Sequence, residues 1–411
     1  MIHFLIHFFN QYIMLRKHLI LLFLLSCIAI KGQDKALLPY IEFINNQKTD
    51  PVDYVFELFS KYDIVILGER DHRDTTQYIL IEKIMSDPRF IENVGHVFTE
   101  VGVCNQTDNA NKILKSSYNS EKDFTKELRN LYRNIDYEIL WEKYNYWYFL
   151  NSIYRINKDL PQSDKISLHL TDVPFDWNEC QDFITRKEFF QKIRSSNNRD
   201  IIMGFNIIKG FDQILQDNKE QRKKALVILN RPHSYQNYIC THRTKGELYP
   251  LNSAASYVFD YYPNNVANIM INWCKLQDND YYIADGKWDA AFHFLGNKSV
   301  GFDMINSPFG DDLFDHYVKP IVDNTQYKNI FTGFIFYLPV QDWVLSVGIP
   351  DIITEDFHIE LMRREHICSI VEERKKWSLK SIISYFNDRR TFQIENIDEE
   401  LTLNLKKWNV K

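Results

Sequence analysis

Four short segments carry the side chains that could do chemistry: Gly68-Glu69-Arg70-Asp71-His72, Thr99-Glu100-Val101-Gly102, Thr171-Asp172 and Asn230-Arg231-Pro232-His233. A carboxylate beside an imidazole fixes its tautomer and raises its basicity, as a general base that activates water requires. Glu69 and His72 are three residues apart and would share a face if a helix begins there. With Glu100 and His233 they form the candidate catalytic set, and Arg70 and Asp172 are candidates for holding substrate. The same His72, His233, Glu69 and Glu100 offer nitrogens and oxygens that a zinc or manganese ion accepts, so a metal-activated water is the rival chemistry. The chain has no Gly-x-Ser-x-Gly elbow, phosphate-binding Gly-x-x-x-x-Gly-Lys loop or Gly-x-Gly-x-x-Gly fingerprint, so water is the expected nucleophile and no cofactor is required.

Each of these segments follows a short apolar run. The runs are Asp63 to Leu67, His96 to Phe98, Ile166 to Leu170 and Ala225 to Leu229, joined by Val266 to Ile271 and Ile330 to Tyr337. Continuous apolarity suits strands buried on both faces, and alternation with helical stretches predicts a three-layer α/β fold, a mostly parallel sheet flanked by helices. Ligands bind beyond the carboxyl ends of such strands, so the four segments are expected to converge in one site. His293, His316 and Asp303 follow other apolar stretches and read as structural. A helical insertion is expected at about 105–160, with Leu140, Tyr144, Trp147 and Tyr148 on one helical face packing on the sheet. The α/β domain spans 33–345. A helical C-terminal extension covers 346–411, in stretches Phe357 to Trp377, Ser378 to Phe386 and Ile397 to Trp408.

Residues 1–32 read as a signal peptide: an apolar run from Leu19 to Ile30 follows Arg16-Lys17, and Met14 offers a second start. The run is shorter than the roughly 20 residues of a spanning helix. The expected location is therefore exported, periplasmic or extracellular, without an integral membrane span after cleavage. Lipid anchoring through Cys27 is the alternative. Of 411 residues 45% are hydrophobic and 25% charged, a globular balance. Loss of Arg16, Lys17 and Lys31 with the leader takes the net charge from −6 to −9, the opposite of a nucleic-acid binder's footprint. The expected partner is a small-molecule substrate. The five cysteines beyond residue 32 show no Cys-x-x-Cys spacing.

The succession Gly68-Glu69-x-x-His72, Glu100-Val101-Gly102, Arg199-Asp200-x-x-Met203-x-x-Asn206 and Asn230-x-x-His233 resembles the erythromycin esterase family. That family belongs to a broader group with the haem-binding ChaN-like and the Tiki-like proteins. The resemblance implies an α/β fold with a Glu/His-lined site and hydrolysis of an ester or lactone bond in a bulky substrate. It further implies His72 as the base, Glu69 and Glu100 orienting it, His233 facing it across the cleft, and Arg199 as an auxiliary polar residue that binds substrate. Haem or ligand binding, and metal-dependent proteolysis, are the alternatives the broader group implies. The chain departs from the family where it reads Arg70-Asp71-His72-Arg73 in place of a Thr-His-Gly pattern, and again at Arg231-Pro232. Arg70 and Asp71 are expected to neutralise each other.

Overall fold

The computed structural model describes residues 35–194, 198–236, 239–244, 247–274, 282–315 and 324–410. The expected leader, with Met14 and Cys27, and His316 lie outside the described residues. The strands of the main sheet are β1 (Ile64–Glu69), β2 (His96–Val103), β3 (Ser167–Asp172), β4 (Ala225–Asn230), β7 (Val266–Ile271), β8 (Val300–Asp303) and β9 (Gly333–Phe336). β5 (Ile239–Thr244) and β6 (Glu247–Asn252) form a separate hairpin. The seven strands lie in the order β3-β2-β4-β1-β7-β9-β8. All neighbours are parallel except β8, which runs antiparallel to β9.

Period-two alternation explains the continuous apolar runs. Val65 and Leu67 of β1 join the large core on one face of the sheet, whereas Ile64 and Ile66 join a second core on the other. The second face is covered by the helices Asn198–Gln216 and Ala254–Tyr261 near β1, β2 and β4. A third cluster continues it near β8 and β9, where Phe302, Phe334 and Phe336 pack on the helix Lys287–Phe294. Helices on both faces of a mostly parallel sheet make the three-layer α/β fold. Six expected runs all contain strands. β8 was not anticipated, and its reversed direction puts Asp303 at the opposite edge, where it accepts from the Tyr54 hydroxyl at 2.8 Å.

The insertion comprises the helices Thr107–Lys115, Glu121–Tyr132 and Tyr144–Lys158. The last buries Tyr146, Phe149, Leu150 and Ile153, not the Leu140-Tyr144-Trp147-Tyr148 face expected from spacing. Leu140 is buried in the sheet's core ahead of the helix, and Tyr144, Trp147 and Tyr148 are half-buried against that core, so all four pack there without sharing one helical face. Aromatic residues on both faces made the pattern ambiguous. The extension carries the helices His358–Val371, Leu379–Asn387 and Ile397–Lys407. Its Leu361, Ile367, Cys368, Ile382 and Phe386 belong to the same core as the sheet. It also completes a small sheet, β10 (Leu345–Val347) with β11 (Arg390–Phe392). β10 bridges to Asp74 and Lys143, while Ser346 N donates to the Arg73 carbonyl at 2.7 Å and Gly348 N to that of Glu142 at 2.8 Å. Cys104, Cys180, Cys274 and Cys368 are free thiols. Among the described residues, no helix is long and apolar enough to cross a membrane.

Candidate active site

β1 ends on Glu69, and a turn over Arg70–Asp74 precedes the helix Thr75–Ser86. Asp74 caps that helix by accepting from Thr76 N at 2.8 Å. The turn, rather than the helical face the spacing suggested, brings His72 Nδ1 to 3.0 Å from Glu69 Oε2. Gly68 lies within the strand. A Cβ there would meet Ser234 Oγ at 2.9 Å and the Ile269 carbonyl at 3.1 Å, so glycine lets the turn bearing His233 pack against β1.

Glu100 sits where the β2–β3 pairing breaks. Thr99 pairs with Leu170 and Val103 with Asp172, so Glu100, Val101 and Gly102 stand opposite Thr171 alone. Such bulges re-aim side chains beside active sites. Gly102 adopts φ +115°, a backbone region that favours glycine, and Leu170 fills the place of its missing Cβ. The bulge is braced by the Tyr146 hydroxyl, which donates to the Val101 carbonyl at 2.6 Å. Glu100 Oε2 accepts from Asn230 N at 2.7 Å. Its Oε1 lies 3.0 Å from Arg199 Nη2, 3.5 Å from His233 Nε2 and 3.7 Å from His72 Nε2.

Asp172 closes β3 and holds Arg199 in a bidentate pair, Nε to Oδ1 at 3.0 Å and Nη2 to Oδ2 at 2.8 Å. Asp200, the next residue on the helix Asn198–Gln216, places Oδ1 2.7 Å from His233 Nδ1 and accepts from Ala254 N at 2.8 Å. The four strand-end segments therefore do meet, with Arg199 between Glu100 and Asp172. Burial disfavours charge on His72, but Glu69 and Glu100 outweigh it and raise its pKa to about 9. The balance is the same at His233, where Asp200 and Glu100 overcome burial and raise it. Burial pushes Glu100 up, yet His233, Arg199 and His72 hold it down at about 2.

Arg70, expected to hold substrate, does not face the cleft. It is 2% exposed, pairs with Asp74 at 2.6 Å and lies 3.9 Å over the Trp343 ring. Nor does it neutralise Asp71, which pairs with Arg73 at 2.8 Å. Residues that spacing did not single out complete the site. Gln77 Nε2 and Asn145 Nδ2 each reach Glu69 Oε1 at 3.4 Å, and the Trp141 ring meets His72 edge-on at 5.2 Å. Asp200 carried a usable signal, its place beside Arg199. The buried amides carried none.

Among the described residues, no three His, Cys, Asp or Glu side chains are grouped as metal ligands. Of the four candidate donors, Glu100 and His233 already face the Arg199 guanidinium at 3.0 and 3.2 Å, and Glu69 faces His72, so the set as arranged does not fit zinc or manganese. Nor does it fit haem through His233, whose Nδ1 faces Asp200 at 2.7 Å and whose Nε2 faces Arg199 Nη1 at 3.2 Å and Glu100 at 3.5 Å.

No protein-family profile matches the chain. Neither does any curated protein. Among solved structures, an erythromycin esterase, EreC, in its open conformation is similar at 10% identity, over 74% of this chain and 96% of that one, with a TM-score of 0.43. A succinoglycan biosynthesis protein matches at 10% identity over 74% and 93%, with a TM-score of 0.42. ChaN of Campylobacter jejuni, described with cofacial haem binding, matches at 13% over 56% and 89%, with a TM-score of 0.32.

Proposed function

We propose that this edge of the sheet hydrolyses an ester or lactone bond, with His72 as the base that takes a proton from water. The observation that carries the reading is the position of His72, with Nδ1 against Glu69 and Nε2 toward Glu100. In the reactive form the Glu69 carboxylate, 3.0 Å from Nδ1, favours the proton there, so Nε2 is the free base. Water loses its proton to Nε2 and adds to the carbonyl carbon. Arg199, whose Nη1 keeps one N–H beyond its 3.2 Å contact with His233 Nε2, then supplies a donor to the oxyanion, a contribution that grows as charge develops, while Asp200 holds His233 in place. Proton return from His72 to the leaving oxygen completes the cycle. No step requires a metal, because Arg199 provides the fixed positive charge.

A pKa of about 9 makes the neutral form of His72 a minority at pH 7. The rate should therefore climb with pH, reach half its maximum near 9 and level off above that. With a leader at 1–32 the hydrolase would act outside the cytoplasm. The test is turnover of a panel of esters and lactones by the purified protein, with and without chelator, beside His72→Ala. Turnover that survives chelation and disappears with His72 is expected. Turnover abolished by chelator, or a folded wild-type protein inert on the whole panel, would overturn the reading.

A further inference from the structure

Three arginines follow the strand ends that build the site: Arg70, Arg73 and Arg231. Two are committed, Arg70 to Asp74 at 2.6 Å and Arg73 to Asp71 at 2.8 Å. Arg231 is not. Among the described residues no carboxylate pairs with it, and its one hydrogen bond runs from Nη1 to the Cys274 carbonyl at 3.0 Å. Arg231 is half-buried, with its guanidinium 5.4 Å over the Trp273 ring, and among the described residues most of its five donors are unused. A partly desolvated guanidinium without a counter-ion is costly, and a planar fork of donors matches a carboxylate or phosphate.

The position of this charge matters. Arg231 opens the turn Arg231–Ser234, two residues before His233, and Asn230 just ahead of it donates its N–H to Glu100. Ser234 packs on Gly68 of β1, so the turn is held in register with the Glu69–His72 segment. Exposure at the edge is also one-sided. The side chains of His72, Arg199 and His233 are 25%, 25% and 17% exposed, against 1%, 3% and 1% for Glu69, Glu100 and Asp172. A solute arriving there meets N–H donors, with the carboxylates behind them.

We propose that Arg231 is the specificity-determining anchor for an oxyanion on the substrate, so that the bond cleaved belongs to an acidic ester, one bearing a carboxylate or phosphate. This deepens the hydrolytic reading and rests on it. The test pairs 4-nitrophenyl hemiesters of succinate, glutarate and adipate with their methyl-capped counterparts, a series that scans the distance from anchor to carbonyl. The wild type should prefer at least one acidic member by tenfold or more in kcat/KM. Arg231→Gln should erase that preference, mainly through KM, and Arg231→Lys should keep part of it. Equal kcat/KM for acidic and capped esters in the wild type, or a preference that survives Arg231→Gln, would overturn the anchor while leaving hydrolysis intact.

Direct binding separates the two readings. Calorimetry of the unmodified protein with succinate, adipate and inorganic phosphate should show binding that is lost in Arg231→Gln, and the preferred anion identifies the carboxylate or the phosphate source. Such binding without turnover of any ester would retain the anchor and remove the hydrolase. Absence of both binding and turnover would remove both.

Discussion

His72 and His233 at the carboxyl edge of the sheet, and His96 and His169 farther down β2 and β3, are two imidazole pairs in one fold with opposite protonation. Burial opposes charge in all four. At the carboxyl edge Glu69, Glu100 and Asp200 lie close enough to reverse it, so His72 rises to about 9 and His233 rises as well. In the other pair His96 Nδ1 faces His169 Nε2 at 3.2 Å, and His169 stacks on Phe98 at 4.2 Å. Glu220 stands 3.4 Å from His96, but burial dominates and Arg222 and Lys115 add to it, leaving His96 at about 4. Burial, His96 and Lys115 take His169 to about 3. Burying a histidine does not make it reactive. At the carboxyl edge the nearby carboxylates outweigh both burial and the opposing charges, Lys143 at His72 and Arg199 at His233.

The largest effect that would break this contrast is on turnover. His72→Ala should lower kcat by roughly 10²–10⁴-fold, the scale of general base catalysis, whereas His169→Asn should leave it within a few-fold. Equal losses in the two variants would erase the distinction. Next is Arg199→Met, which strands Glu100 and Asp172 without their shared cation. It should cost about 3 kcal/mol in urea unfolding, against less than about 1 kcal/mol for Arg155→Met at its exposed pair with Glu82.

A smaller change sharpens the electrostatics. Asp200→Asn should lower the His233 pKa, because it removes the carboxylate against Nδ1, read by NMR titration of its ring protons, with His96 unmoved. The smallest effect is on stability against pH. Because the folded pKa of His72 is raised, its contribution is complete below about 6.5 and is lost as pH rises toward 9. His96 and His169 act on the acid side: their lowered values make stability fall as pH drops from about 6.5 toward 4 and below. Unfolding in urea across pH should show both slopes. His72→Gln should flatten the alkaline one and His169→Asn part of the acid one.

Much of this arrangement was legible in the residues. Strands buried on both faces wrote themselves as apolar runs, and the polar residues ending those runs marked the edge where Glu69, Glu100, Asp172 and His233 meet. Features set by three-dimensional detail were not. The bulge that turns Glu100 inward depends on Gly102 and on Leu170 from another strand, and the partner of Arg70 was decided by a turn where spacing alone suggested a helix. β8 is four residues long and contains Gly301, too short for a periodic signal. The buried face of Tyr144–Lys158 was obscured because aromatic residues lie all round it.

The small β10–β11 sheet ties the order of synthesis to the site. β10 is bonded to Arg73, Asp74 and Lys143, just after His72 and Trp141, and its own partner is β11 at Arg390–Phe392. At about 5–20 residues per second on the ribosome, His72 emerges on the order of tens of seconds before Leu345. During that interval the nascent chain lacks the strap across the His72 turn and the share of the sheet's core that Leu361, Ile367, Cys368, Ile382 and Phe386 supply. Competence should therefore appear late and all at once, when residues 345–392 dock, and a nascent chain stalled before β11 should carry every candidate catalytic residue and still be idle.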